Sequence, residues 1–96
     1  MIELRRTAEY DRWLRALRDI QARARINARI RRLQDGNPGQ HRVLTGGVVE
    51  MKIDYGPGYR VYYAKHADKL IILLCGGDKA TQQTDIERAL MLAKNL

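Results

Sequence analysis

The chain has a single cysteine, Cys75, among its 96 residues. No internal disulfide and no cysteine metal cluster can be built from one thiol. Cys75 ends an apolar run, and free cysteine in such a place reads as a small buried hydrophobe. No histidine or carboxylate stands at obvious nucleophile-partner spacing from it. Long hydrophobic runs are also missing. The longest, Leu70 to Cys75, falls far short of the roughly 18 residues that a membrane span needs. The start, Met1-Ile2-Glu3-Leu4-Arg5-Arg6, carries no apolar stretch of signal-peptide length, so the expectation is a cytoplasmic protein without a membrane partner. There are no repeats, linkers or low-complexity tracts. Residues 1–96 leave no room for a second domain, and by size scaling one domain of this length buries about 65% of its unfolded surface.

Acidic residues are the other shortage. Eleven Asp and Glu face eighteen Lys and Arg, for a net charge of +7 and a pI near 10.0. Residues 1–32 hold ten arginines against four acids, a net +6; residues 33–66 carry +1, and residues 67–96 balance to zero. Such an excess favours polyanions: nucleic acid, the ribosome, an acidic membrane or an acidic protein. The plain alternative is that the arginines are the solvated faces of two helices. That explains where they sit but not why so little Glu balances them.

What is there reads as alternating elements. Ile2 to Arg6 is a short strand with Ile2 and Leu4 on one face. Thr7 is placed to cap a helix, with Glu9 in its first turn. Tyr10, Trp13, Leu14 and Leu17 make its apolar stripe, and Arg12, Arg15 and Arg18 take the other side. Asp19 can cap a second helix with the stripe Ala22, Ile26, Ile30 and Leu33. Its outer faces carry Arg23, Arg25, Arg29, Arg31 and Arg32. Asp35-Gly36-Asn37-Pro38-Gly39 stops it. The two helices read as an antiparallel hairpin with a cationic outside.

His41 to Thr45 can start a strand. In Val48 to Asp54 the period is two: Val49, Met51 and Ile53 point one way, Glu50, Lys52 and Asp54 the other. Tyr55-Gly56-Pro57-Gly58 is a turn. On the return strand Tyr59, Val61 and Tyr63 share one face, and Arg60 and Tyr62 share the other. Leu70 to Cys75 is apolar on both faces, as expected of a central strand. Gly76-Gly77 is expected to let the chain leave the sheet sharply. Thr84-Asp85-Ile86-Glu87 fits a capping box, with Thr81 as an earlier option. Ile86, Ala89, Leu90 and Ala93 then give a helical stripe. The order β-α-α-β-β-β-α predicts an α+β domain: a small, mainly antiparallel twisted sheet packed by an N-terminal helical hairpin and a C-terminal helix.

This order resembles the RelE/ParE superfamily of bacterial type II toxins, and most closely its addiction module killer, or HigB-like, branch. The residues that carry the resemblance are Gly47-Val48-Val49-Glu50-Met51-Lys52-Ile53, then Tyr55-Gly56-Pro57-Gly58-Tyr59-Arg60-Val61-Tyr62-Tyr63. Gly76-Gly77-Asp78-Lys79, with Thr81-Gln82 and Asp85-Ile86, completes the set. The resemblance covers nearly the whole chain in element order. It implies a RelE-like fold and a toxin that cuts messenger RNA on the ribosome without metal or cofactor. It further implies neutralisation by a cognate antitoxin, usually a helix-turn-helix protein from the adjacent gene, in a hetero-oligomer that can bind operator DNA. The ParE-like members of the same superfamily poison DNA gyrase instead, and a copy that only binds its antitoxin is a further alternative.

The RelE pattern places a basic residue on the first hairpin strand, an arginine on the return strand and a basic residue after the last core strand. Here these are Lys52, Arg60 and Lys79. RNA cleavage needs the 2′-hydroxyl deprotonated, the charge on phosphorus stabilised and the 5′-oxygen protonated. Arg60 can grip two phosphate oxygens at once, and Lys79 can share that task. Lys52, among other cations, is a candidate general base, as is Glu50. Tyr62 or Asp85 can position or donate the leaving-group proton; where RelE has a C-terminal tyrosine this chain has Asp85. Arg23, Arg25, Arg29, Arg31 and Arg32 are expected to contact ribosomal RNA or the antitoxin. Lone histidines titrate near neutrality, but His41 and His66 are weaker candidates at loop or strand ends, and Trp13 is core.

Overall fold

A computed structural model describes residues 2–96. Its elements are β1 (Glu3–Arg6), α1 (Ala8–Ala16), α2 (Ile20–Gln34), β2 (His41–Val43), β3 (Val48–Ile53), β4 (Tyr59–His66), β5 (Leu70–Gly77), a 3-10 turn (Lys79–Thr81) and α3 (Gln82–Lys94). The five strands form one sheet in the order β1-β5-β4-β3-β2. β1 runs parallel to β5, and every other pair is antiparallel. The short strand β2 adds one element to the expected order. The result is a small α+β domain with a mostly antiparallel sheet and three helices, consistent with a RelE-like fold.

Both N-terminal helices begin where a side chain satisfies the free amides of the first turn. Thr7 Oγ1 accepts from the Tyr10 amide at 3.0 Å. The Asp19 carboxylate accepts from the amides of Gln21 and Ala22. The apolar stripes then decide what is covered. Tyr10 of α1 and Ala22, Ile26, Ile30 and Leu33 of α2 pack on Val49, Met51, Ile53, Tyr59, Val61, Tyr63, Ile71 and Leu73 of the sheet. Trp13, Leu14 and Leu17 pack on the margin of that cluster.

The opposite face is covered by α3. Ala89, with Ile86, Leu90, Leu92 and Ala93, packs against Val48, Tyr62, Ala64, Leu74 and Cys75. Each side chain fully buried in either layer contributes about 1.5–3 kcal/mol for Val, Leu, Ile or Met. A sheet covered on both sides has no solvated face. Glu50 and Arg60 are enclosed with it, only 5% and 7% exposed.

One irregularity sets the phase of β5. Between Tyr62–Cys75 and Tyr63–Leu73 the register slips, leaving Leu74 as an extra residue. Such a bulge lets two successive side chains take the same face, so Leu74 and Cys75 both join the α3 layer. The Thr7 hydroxyl donates to the bulged Leu74 carbonyl at 2.6 Å.

The bulge turns Gly76 toward α1 and Gly77 toward α3. Both glycines belong to β5, which ends at Gly77, so the chain leaves the sheet only after the pair. A Cβ on Gly76 would lie 2.3 Å from the Trp13 ring, and one on Gly77 would lie 1.8 Å from Asp85 Oδ2. The two glycines are there because a ring and a carboxylate press on the backbone from opposite sides.

The start of α3 follows the earlier of the two expected caps, Thr81 in place of Thr84. Asp78 Oδ1 accepts from the Ala80 amide at 2.9 Å and opens the 3-10 turn. The helix begins at Gln82, with Thr81 in the cap position. Thr84 is therefore inside the helix, not its cap. Among the described residues no helix is long and apolar enough to cross a membrane.

Candidate functional site

The hairpin of β3 and β4 places the predicted residues by register. Glu50 pairs with Tyr62 and Lys52 pairs with Arg60. Across the other edge of β4, Arg60 pairs with Gly77 and Tyr62 with Cys75. Cross-strand partners share a face, so Glu50, Lys52, Arg60 and Tyr62 all look toward the start of α3. Asp85 fills the space above Gly77, the register partner of Arg60.

The Tyr55–Gly58 turn supplies the rest. Gly56 and Gly58 both have positive φ, and the Gly58 carbonyl accepts from Arg60 Nη1 at 2.7 Å. The Lys79 amide donates to the Pro57 carbonyl at 3.4 Å. A Cβ on Gly58 would find Arg60 Nη1 at 3.2 Å and Lys79 Cβ at 3.6 Å. The Arg60 guanidinium and the base of the Lys79 side chain thus border the same turn, and Lys79 itself is exposed.

Glu50 is the hub. Its Oε2 accepts from Tyr62 Oη at 3.0 Å and from Gln82 Nε2 at 2.9 Å. Its Oε1 pairs with Arg42 Nη2 at 3.2 Å. Arg60 Nε stands 3.9 Å from Oε2, too far for a hydrogen bond, and it is buried with no partner. Burial first, and then the bond to Glu50, push the Tyr62 phenol far above its ordinary range, so it is protonated at neutral pH and holds the carboxylate. Tyr62 is itself fully buried. Burial also raises Asp85, only partly opposed by the 2.6 Å hydrogen bond from Thr81 Oγ1.

Above the hub lies a cleft of about 240 Å³, lined by Gln40, His41, Arg42, Glu50, Lys52 and Gln82. Arg42 and Gln82 were not singled out from the sequence. Arg42 lies in a three-residue strand and Gln82 in a helix start that had been placed later, so neither had a face to be read from. His41 Nδ1–H donates to the Gly39 carbonyl at 2.7 Å. His66 ends β4 on the exposed side. Among the described residues no three His, Cys, Asp or Glu side chains converge as a metal-holding set. Burial pushes the Cys75 thiol up to about 12.

The arginines of α2 divide. Arg25, Arg31 and Arg32 are exposed and Arg23 half-buried. Arg25 also lies over the Tyr55 ring, 4.5 Å from its centroid. Arg29 departs from the expected solvated face. Its Nη1 donates to the Lys52 carbonyl at 2.7 Å, and its Nη2 to the carbonyls of Pro38 and Gln40 at 3.0 and 3.2 Å. It clamps α2 to the end of the β2–β3 pair where β2 begins and β3 finishes, next to two residues of the cleft wall, Gln40 and Lys52. Burial, and then the charge of Arg32, lower its pKa. Among the described residues none of these five arginines pairs with a carboxylate within 4.0 Å.

Residues 12–96 match a family of phage-derived proteins described as Gp49-like (DUF891). The chain is 48% identical over 95 residues to an uncharacterised protein of Haemophilus influenzae, an alignment that covers 99% of this chain and 96% of that one. No solved structure matches it.

Proposed function

The chain belongs to the phage-derived Gp49-like family, and from that premise we propose that it is the toxin of a bacterial type II toxin–antitoxin pair, a HigB-like endoribonuclease that cuts messenger RNA on the ribosome. It works in the cytoplasm without a metal. A cognate helix-turn-helix antitoxin neutralises it and forms with it a hetero-oligomer on operator DNA. The observation that carries the reading is Arg60: a buried guanidinium with an unpartnered Nε, set between Lys52 and Lys79 beside an open cleft.

A buried, pre-aimed cation stabilises charge that develops on a phosphate more strongly than one in water. Arg60 takes the phosphate through its outer nitrogens, and Lys79 adds a second charge. Lys52 removes the 2′-hydroxyl proton as the free amine, becoming the ammonium. The 2′-oxygen then attacks phosphorus and the bond to the 5′-oxygen breaks. Asp85, whose burial favours its protonated form, or Lys79 supplies the proton that the leaving oxygen takes. Glu50 holds three donors and Tyr62 holds Glu50, so these two act by positioning. The exposed arginines Arg25, Arg31 and Arg32, with the half-buried Arg23, grip the phosphates of ribosomal RNA. The cleft is shallow, and the ribosome orients the message within it.

The test is inducible expression of wild type and Arg60→Ala in a bacterial host, with transcript 5′ ends mapped and DNA breaks scored. Growth arrest with new transcript ends inside translated regions, lost in Arg60→Ala, supports the reading. Arrest with DNA breaks and intact transcripts, indifferent to Arg60→Ala, replaces it with gyrase poisoning.

A further inference from the structure

We propose that Arg42 is a second phosphate-binding guanidinium of this cleft, held on Glu50 while the cleft is free and transferred to an RNA phosphate that enters beside Arg60. The inference rests on the RNA-cleaving reading and deepens it, since no role has been assigned to Arg42 there.

The geometry is that of a parked side chain. Arg42 and Glu50 are register partners on β2 and β3. The arginine side chain is 59% exposed while the carboxylate is 7% exposed. A guanidinium on an edge strand can therefore swing outward, but the carboxylate cannot follow. The link is one contact at 3.2 Å to Oε1. It is not the two-pronged pairing that makes arginine–carboxylate contacts strong. Half-exposed pairs of this kind hold weakly.

The carboxylate is provided for when Arg42 leaves. Oε2 keeps Tyr62 and Gln82. Arg60 Nε, buried without a partner, waits 3.9 Å away. Unpaired buried donors are costly, so the departure of Arg42 lets Glu50 and Arg60 close that gap. Arg60 would then be fixed by Glu50 at Nε and by the Gly58 carbonyl at Nη1, which leaves Nη2 as its free donor. Exchange thus tightens the site instead of opening it.

The occupant follows from charge and shape. Arg42 and Lys52 line the cleft and Arg60 Nε lies 3.9 Å from Glu50, so three basic side chains stand near a single carboxylate. The cleft of about 240 Å³ is smaller than the roughly 300 Å³ at which enclosed ligand pockets begin. It is open to solvent and suits a stretch of sugar–phosphate backbone crossing the sheet edge. Arginine forks match phosphate oxygens in the same way as they match carboxylates.

The experiment measures binding of a 2′-O-methyl oligouridylate, which cannot be cleaved, by fluorescence anisotropy across a salt series. Arg42→Ala should weaken binding about tenfold and lower the salt slope by about 0.7, the value for one phosphate contact on a single strand. Arg5→Ala, on β1 at the opposite edge of the sheet, should change neither. Glu50→Gln keeps an acceptor for Tyr62 and Gln82 but frees Arg42, so it should bind several-fold tighter. That gain must vanish when Arg42→Ala is added. An unchanged slope in Arg42→Ala overturns the inference, as does a Glu50→Gln gain that survives without Arg42. Absence of oligonucleotide binding by the wild type overturns it too. A polyglutamate peptide of equal charge that binds as tightly, and loses as much on Arg42→Ala, overturns the phosphate assignment in favour of an acidic protein. The two readings fail separately. Arg42-dependent binding without transcript cleavage in cells sinks the nuclease alone, and cleavage with Arg42-independent binding sinks this inference alone.

Discussion

Gly77→Ala tests the joint between the sheet and the site. In most strands the change is mildly favourable, because alanine loses less backbone freedom than glycine, by about 0.5–1 kcal/mol. Here the new Cβ would stand 1.8 Å from Asp85 Oδ2 and 2.6 Å from its Cγ. Either β5 shifts, which overpacks a layer closed by α3 at about 1–3 kcal/mol, or Asp85 swings out and gives up its hydrogen bond from Thr81. That bond is partly exposed, so its loss costs about 1 kcal/mol, below the usual range for a charged partner. The net expectation is a destabilisation of about 2 kcal/mol, or about 10 °C in Tm for a domain of this size. Urea unfolding and thermal melts measure it. Adding Asp85→Ala should remove the obstruction and restore most of the loss, with a coupling of about 1 kcal/mol or more between the two changes. A Gly77→Ala protein as stable as wild type, or more stable, would refute the idea that the glycine is there for Asp85.

Two further outcomes follow from the same packing. Arg29→Ala removes three hydrogen bonds to backbone carbonyls and should cost about 2–3 kcal/mol in urea unfolding; Arg29→Lys should recover little, because a lysine cannot span three acceptors. Burial raises Asp85 above its ordinary 3.8, so its favourable share of stability is complete below that value and is lost as pH rises through the raised one. Asp85→Asn should therefore melt higher than wild type at pH 7, with the gain shrinking as pH falls toward 3.8; a gain that is constant from pH 8 to pH 3 would contradict this.

Local pattern carried the hairpin far. The alternation in Val48–Asp54 and Tyr59–Tyr63 placed Lys52 and Arg60 on one face, and the register makes them partners. The caps at Thr7 and Asp19 were likewise legible, because a cap acts within its own turn. What was not legible depends on residues distant in sequence. The need for Gly76 and Gly77 comes from Trp13 and Asp85, and the bulge at Leu74 that aims them is tied by Thr7. The burial of Glu50 comes from α3, whose start was placed a few residues late. Arg29 looked like one more surface charge because helical spacing shows which face a residue takes, not which carbonyls a loop will bring to it.

The parallel pairing of β1 with β5 has a consequence for how the protein is made. Glu3–Arg6 find their partners only in Leu70–Leu73, so the first strand synthesised waits for nearly the last. Gln82 and Asp85 come later still. Closing so long a loop is slow and must precede the contacts that reward it. The cleft is therefore among the last parts of the sheet to be completed, and the interval before closure belongs to whichever partner first meets the unfinished sheet.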